Sequence, residues 1–170
     1  MKIAIAPGYE VTLPNRGTPK SAGLDFYIPS LSTAMISDFN ARNQDARTQS
    51  YMDLDKKQIN IHPQGRVFIP LGITVDVPKD CMLMVANKSG VSWDGRITNL
   101  SMVIDEDYHG NLFVSVYNYT IGKTVLYPGQ KFIQLVCVPV FYPSVEVVPY
   151  DEVHLVSSVR GTGSMGSTGT

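Results

Sequence analysis

Long apolar runs, cysteine, histidine and net charge are all scarce in this chain of 170 residues. No stretch of eighteen apolar residues occurs, so no membrane-spanning helix is expected. The opening MKIAIAPGYE is too short, and too soon broken by proline and glycine, to read as a secretory leader. Only two cysteines are present, Cys81 and Cys137, and no C-x-x-C pair. Both sit in apolar runs (CMLMVA and LVCVPV), where buried free thiols in a reducing interior are expected. His62, His109 and His154 are scattered, so no protein metal cluster is expected from them. Fourteen Lys and Arg against fifteen Asp and Glu give a net charge of −1, which leaves no footprint for nucleic acid or a membrane surface. No G-x-x-x-x-G-K-[ST] loop and no strand–helix alternation occur, which sets aside P-loop and doubly wound nucleotide folds. The expected setting is cytoplasmic, in a soluble protein.

What remains is a chain with 44% hydrophobic and 17% charged residues, enough for one domain with a sizeable core. Its apolar residues come in short runs rich in Val, Ile, Phe and Tyr, bounded by Gly, Pro and Asn. KIAI, YEVTL, LDFYI, the two halves of INIHPQGRVFIPLGITVDVP, CMLMVANK, RITNLSMVID, LFVSVYNY, KFIQLVCVPVFY and VEVVPY all read as strands. Their number and spacing predict an all-β sandwich, jelly roll or barrel. Ser30 to Gln58 departs from the pattern, being polar and poor in β-branched residues. Ser32 or Thr33 can cap a short helix carrying Met35, Ile36 and Phe39 on one face. A long loop or insertion with at most a helical turn is the expectation.

Five stretches carry chemistry. SAGLDFY (21–27) places a lone Asp25 in an apolar strand after a turn of small residues. A local hydrogen bond explains it as readily as a site does. NKSGVS (87–92) offers an ammonium, a hydroxyl and a free N–H in a row, which suits a phosphate, although a plain turn has the same composition. MVIDEDYHGN (102–111) ends a strand on Asp105, where partial desolvation would favour a base; acidic hairpin turns are otherwise common. PGQKFIQL (128–135) puts Gln134 inside an apolar strand, where it must find partners. RGTGSMGSTGT (160–170) is all Gly, Ser and Thr apart from Arg160 and Met165. It reads either as a frayed terminus or as a clamp of backbone N–H groups, hydroxyls and one guanidinium around a phosphate.

Together and in this order, the five stretches resemble the motifs of the trimeric dUTPase family, deoxyuridine triphosphate diphosphatases. The resemblance runs from about residue 3 to the end, and only Ser30–Gln58 has no usual counterpart. It implies a jelly-roll-like β domain over residues 1–159, with an insertion at about 30–58. The tail at 160–170 would be flexible and close over the active site of a neighbouring subunit. It further implies a homotrimer whose three sites each draw motifs from several chains. The implied reaction is hydrolysis of dUTP to dUMP and pyrophosphate, with Mg²⁺ on the triphosphate.

The implied roles can be assigned residue by residue. Asp105 would activate the attacking water, and Gln134 would bind phosphate or orient that water. Lys88, Ser89 and the Gly90 N–H would hold phosphate. Asn99 and the backbone through Met102 and Val103 would read uracil, and Tyr108 would lie on the deoxyribose. Arg160, Met165, Gly166, Ser167 and Thr168 would close over the nucleotide. Asp25 would meet the metal only through water.

Three positions depart from the family pattern: Lys88 stands for arginine, Met102 for glycine, and Met165 for an aromatic residue. Lysine keeps the charge but loses the bidentate fork. The related dCTP deaminases need a glutamate on the strand after the hairpin, where this chain holds Ser115, and no carboxylate occurs between Asp107 and Glu146. A non-catalytic nucleotide-binding regulator on the same scaffold is the reading from another class, with Ser30–Gln58 as the surface for a protein partner.

Overall fold

The computed structural model describes residues 1–44, 50–94, 96–154, 156–159 and 161, with the backbone alone at 92–94. The chain divides into two compact units, Met1–Val140 and Phe141–Thr170.

The first unit begins with β1 (Lys2–Ile5), β2 (Gly23–Tyr27), α1 (Thr33–Arg42), β3 (Ser50–Asp53) and β4 (Gln58–Ile61). It continues with β5 (Arg66–Pro70), β6 (Ile73–Asp76), β7 (Cys81–Asn87), α2 (Ser89–Asp94) and β8 (Ile97–Asn99). It closes with β9 (Val103–Ile104), β10 (Phe113–Asn118), β11 (Thr124–Leu126) and β12 (Lys131–Pro139). Among the described residues these strands form sheets in the orders β1-β6, β5-β10-β8, β11-β4-β3 and β2-β12-β7-β9. Every pairing is antiparallel. The fold is thus mostly β, as the spacing of apolar runs predicts.

Alternation sets what each strand buries. Val114 and Val116 of β10 face the core with Val67 and Ile69 of β5, all fully buried. Ile133 and Leu135 of β12 meet Leu83 and Val85 of β7 in the same core. The strand ends correct the thiol expectation. Cys137 shares the face of Ile133 and Leu135 but lies toward the end of β12 and is exposed, while Cys81 at the start of β7 is half-buried; both are free.

Three of the expected strands differ. YEVTL forms no strand: Tyr9 closes a turn by donating its N–H to the Ala6 carbonyl (3.1 Å), and the following chain makes one bridge, Asn15 to Asp25. RITNLSMVID is broken into β8 and β9, which belong to different sheets. The break is held by Leu100, whose N–H donates to the Ser115 carbonyl at 2.7 Å, and by Ser101, whose hydroxyl accepts from the Ser115 N–H at 2.8 Å. VEVVPY lies in the second unit as mostly exposed chain without a strand and ends in a 3₁₀ turn at Tyr150–Glu152. Its alternation has no partner strand among the described residues, and a lone strand does not hold.

The polar segment 30–58 also overturns its expectation. It contains a ten-residue helix, α1, and then a strand, β3, where a long loop is predicted. Ser32 caps the helix, its hydroxyl accepting from the Met35 N–H at 3.3 Å. Met35 and Phe39, four residues apart, lie on one stripe and are 0% and 2% exposed. Two large side chains suffice because a formed core receives them, which the helix's own sequence does not advertise. Asn43 follows α1, and its side chain both donates to the Phe68 carbonyl (2.8 Å) and accepts from the Phe68 N–H (2.9 Å). The segment is therefore stitched into the domain. Phe39→Ala should lower unfolding free energy by about 3–5 kcal/mol through lost burial and a residual cavity. Urea denaturation would measure it, and a loss under about 1 kcal/mol would place the helix outside the cooperative core.

Candidate functional site

Two groups of the expected site residues come together in different places on the first unit. The first lies on the sheet of β2, β12 and β7. Gln134 stands opposite Asp25 on one side and Ala86 on the other. All three side chains therefore project from the face away from the core. Asp25 is only 5% exposed, and its burial is tolerated because two ammonium groups neutralise it. Lys88 Nζ hydrogen-bonds one carboxylate oxygen, and Lys131 Nζ lies 3.0 Å from the other. Burial alone would raise the Asp25 carboxyl, but the two lysines outweigh it and hold it below the ordinary carboxylate range.

Gln134 half-occupies the surface of this sheet and donates Nε2–H to the Asn87 carbonyl at 2.9 Å. Its side chain lies across Gly23, where a Cβ would stand 2.3 Å from Oε1, so SAGLDFY needs glycine there for packing. Asn87 continues the line. Its Oδ1 accepts from the Asn99 N–H at 2.8 Å, and its Nδ2 donates to the Thr98 hydroxyl at 2.9 Å. Asn99 in turn donates Nδ2–H to the carbonyls of Val85 (2.9 Å) and Ser101 (2.7 Å). The Asn99 amide thus shapes the hairpin from within. Ser89 and Gly90 follow Lys88 at the exposed start of α2, with open space around the Gly90 α-carbon.

The second group lines a cleft of about 500 Å³. Val103, Asp105 and Tyr108 meet Phe68, Leu112 and Phe113 there. Tyr108 donates its N–H to the Asp105 carbonyl (3.2 Å), a tight turn that keeps the two residues together. The Tyr108 hydroxyl donates to the Asn111 carbonyl at 2.8 Å and packs over Gly110, where a Cβ would come within 2.6 Å of it. Of the three adjacent carboxylates, Glu106 accepts from the Asp80 N–H at 2.9 Å and ties the turn to the loop before β7. Asp105 is exposed in the single chain, against the expectation of partial desolvation, because β9 ends at the cleft mouth. Met102 is 61% exposed on the hairpin and lines no part of the cleft.

Among the described residues, no hydrogen bond or ion pair joins Asp105 or Tyr108 to Lys88, Ser89 or Gln134. Arg160, Met165, Gly166, Ser167 and Thr168 lie outside the described residues. Three contributors are visible only in the structure. Lys131 holds the second Asp25 oxygen, Asn87 links the two motif strands, and Arg42 enters the cleft from α1. Lys131 carries a faint sequence signal as the one cation inside the apolar run of β12, whereas Arg42 carries none.

The donors do not build a cage for a divalent cation. Among the described residues no three of His, Cys, Asp and Glu cluster, and both Asp25 oxygens are already held by ammonium groups. Likewise, no helix of the described residues is long and apolar enough to cross a membrane.

The depressed Asp25 carboxyl contributes stability that is fully present above its unfolded value of about 4 and lost as pH falls through the lower folded value. Asp25→Asn should therefore cost on the order of 2 kcal/mol at neutral pH, moderated by the partial exposure of both lysines. The deficit against wild type should shrink as pH drops below about 4. Urea unfolding across pH checks this, and a deficit independent of pH would contradict the charged pairing.

The chain is similar to known proteins. The family model described as dUTPase matches residues 40–169. The deoxyuridine 5'-triphosphate nucleotidohydrolase of Anaplasma marginale (strain St. Maries) is 30% identical over 171 residues, spanning 99% of this chain and 96% of that protein. The mitochondrial protein of that name from Homo sapiens is 30% identical over 158 residues, spanning 93% of this chain and 50% of its own length. Among solved structures, the dUTPase of Staphylococcus bacteriophage 80alpha with dUPNHPP superposes with a TM-score of 0.74 at 20% identity. That superposition covers 99% of this chain and 98% of the phage protein, and it shows a shared fold.

Proposed function

The chain belongs to the dUTPase family, and we propose on that footing that it hydrolyses dUTP to dUMP and pyrophosphate, using the two residue groups above as the two ends of one nucleotide site. The cleft carries this reading. A flat apolar wall of Phe68, Leu112 and Phe113 suits a pyrimidine face, Tyr108 suits a deoxyribose, and a carboxylate at the mouth suits a reacting water.

Asp105 accepts a proton from the water that attacks the α-phosphorus, in line with the departing pyrophosphate. Charge grows on the phosphate oxygens as the leaving group departs. Lys88, Ser89 and the Gly90 N–H answer it with fixed donors. Asp25 holds the Lys88 ammonium in place, so little ordering remains at the moment of reaction. Gln134, turned outward beside Lys88, orients water or phosphate. Mg²⁺ would be held by the triphosphate as its counter-ion, since the described residues offer it no cage. Arg160 and the Gly/Ser/Thr tail beyond it close over the outer phosphates.

The separation of the two groups on one chain supports a site shared between copies, as in a homotrimer. Val145, Val147 and Tyr150 of the second unit are each more than 90% exposed, and apolar side chains in that number favour burial against another chain. The deaminase reading is not favoured: Ser115 sits buried on β10, where that chemistry needs a carboxylate.

Incubation of the purified protein with Mg²⁺ and dUTP should release pyrophosphate. Asp105→Asn should lower kcat by about 10²–10⁴-fold, the range for loss of a general base. Pyrophosphate release at the wild-type rate from the variant would remove Asp105 from that role.

A further inference from the structure

The inserted helix α1 ends in the nucleotide cleft. Its last residue, Arg42, lines the same cavity as Asp105 and Tyr108. The guanidinium carbon lies 4.7 Å from the centroid of the Phe113 ring, a stacked cation–π position. Among the described residues, this guanidinium has no carboxylate within ion-pair distance and no hydrogen-bond acceptor. Its donors are therefore available to whatever fills the cleft.

The helix end that carries Arg42 is fixed from three sides. Phe39 is buried beneath it, and Asn43 is bonded to the backbone of Phe68, itself a cleft residue. One turn earlier, the Asp38 carboxylate accepts from the Tyr9 hydroxyl at 2.6 Å and from Asn111 Nδ2 at 3.2 Å. Asn111 is the residue whose carbonyl receives the Tyr108 hydroxyl. Helix and cleft loop are thus one hydrogen-bonded unit, and an arginine stacked on it loses little further freedom on binding.

The surroundings decide which part of a nucleotide Arg42 meets. The phosphate donors Lys88, Ser89 and Gly90 belong to the other group of residues, whereas Arg42 stands at the apolar wall that suits the base. A guanidinium has five donors and no acceptor. It matches a carbonyl edge and opposes an exocyclic amine, which would set donor against donor. Uracil presents two carbonyls, and cytosine replaces one with an amine.

We propose that Arg42 is a base-contacting residue that donates to the uracil 4-carbonyl, the one that cytosine replaces with an amine, and biases the site toward dUTP over dCTP, a role for the segment 30–58 within its own chain. This rests on the dUTP hydrolase reading.

Steady-state kinetics of the full chain with dUTP and dCTP, for wild type, Arg42→Gln and Arg42→Lys, test it. Loss of one charge-assisted hydrogen bond should raise the dUTP KM about tenfold with kcat within about twofold. The preference for dUTP over dCTP should fall by a similar factor. Inhibition by dUMP should weaken in step, while inhibition by pyrophosphate should not change. Lysine should not rescue, because a point charge lacks the planar fork that stacks on Phe113.

Unchanged KM and selectivity would overturn the proposal. So would weakened pyrophosphate inhibition with dUMP unaffected, which would assign Arg42 to phosphate. Thermal unfolding of each variant separates these outcomes from misfolding. Failure of the wild type to hydrolyse dUTP would remove the hydrolase reading by itself. Calorimetric titration with dUMP would then still judge Arg42, with equal affinity in wild type and Arg42→Gln counting against it.

Discussion

The register of β12 fixes where the chemistry sits. Residues Lys131 to Pro139 pair with β2 on one side and β7 on the other, so β12 carries two neighbours' side chains into line. Ile133 and Leu135 fill the core, which turns Gln134 outward between Asp25 and Ala86. A slip of one residue would drive Gln134 into the core and expose its apolar neighbours, so the apolar pattern locks the polar one. Asp25 follows from the same constraint. Its place opposite Gln134 buries a carboxylate, and a buried carboxylate must be neutralised. Lys88 and Lys131 do this, and Lys88 is thereby held by a demand of folding. Gly23 completes the arrangement by leaving room for the Gln134 side chain.

A second constraint ties the cleft to α1. The helix has little intrinsic claim to form, with two buried apolar residues and one capping serine. Tertiary partners supply the rest: the core accepts Met35 and Phe39, Asn43 pairs with Phe68, and Asp38 reaches Tyr9 and Asn111. Burial and the nearby Asp38 carboxylate push the Tyr9 phenol above its ordinary value, which keeps it a neutral donor to that carboxylate. Because Asn111 also receives the Tyr108 hydroxyl, the helix shares a hydrogen-bond network with the residue expected against the sugar.

Much of this was legible in the sequence, for identifiable reasons. Runs such as LFVSVYN and KFIQLVCVP bury alternate residues against formed neighbours, so period-two patterning found β10 and β12. Lone polar residues inside such runs, Asp25 and Gln134, marked the first residue group because apolar strands tolerate them only with partners. The same patterning failed at VEVVPY, where alternation exists without a partner strand, and at RITNLSMVID, where Ser115 binds both sides of a break. At α1 it found the Ser32 cap and the Met35–Phe39 face but not a ten-residue helix, because two core residues in ten leave little periodic signal. Arg42, Phe68 and Phe113 come from three separate elements, and nothing local says that they converge.

The exposure of Asp105 gains its meaning from the same geometry. On one chain the carboxylate is exposed and lines the cleft. Catalysis by fixed dipoles needs water excluded and phosphate donors in reach, and the donors sit on the sheet of β2, β12 and β7. A second copy that presented its Lys88–Ser89–Gly90 face to this cleft would meet both needs at once. It would cover Asp105, and it would bring an ammonium already held by its own buried carboxylate.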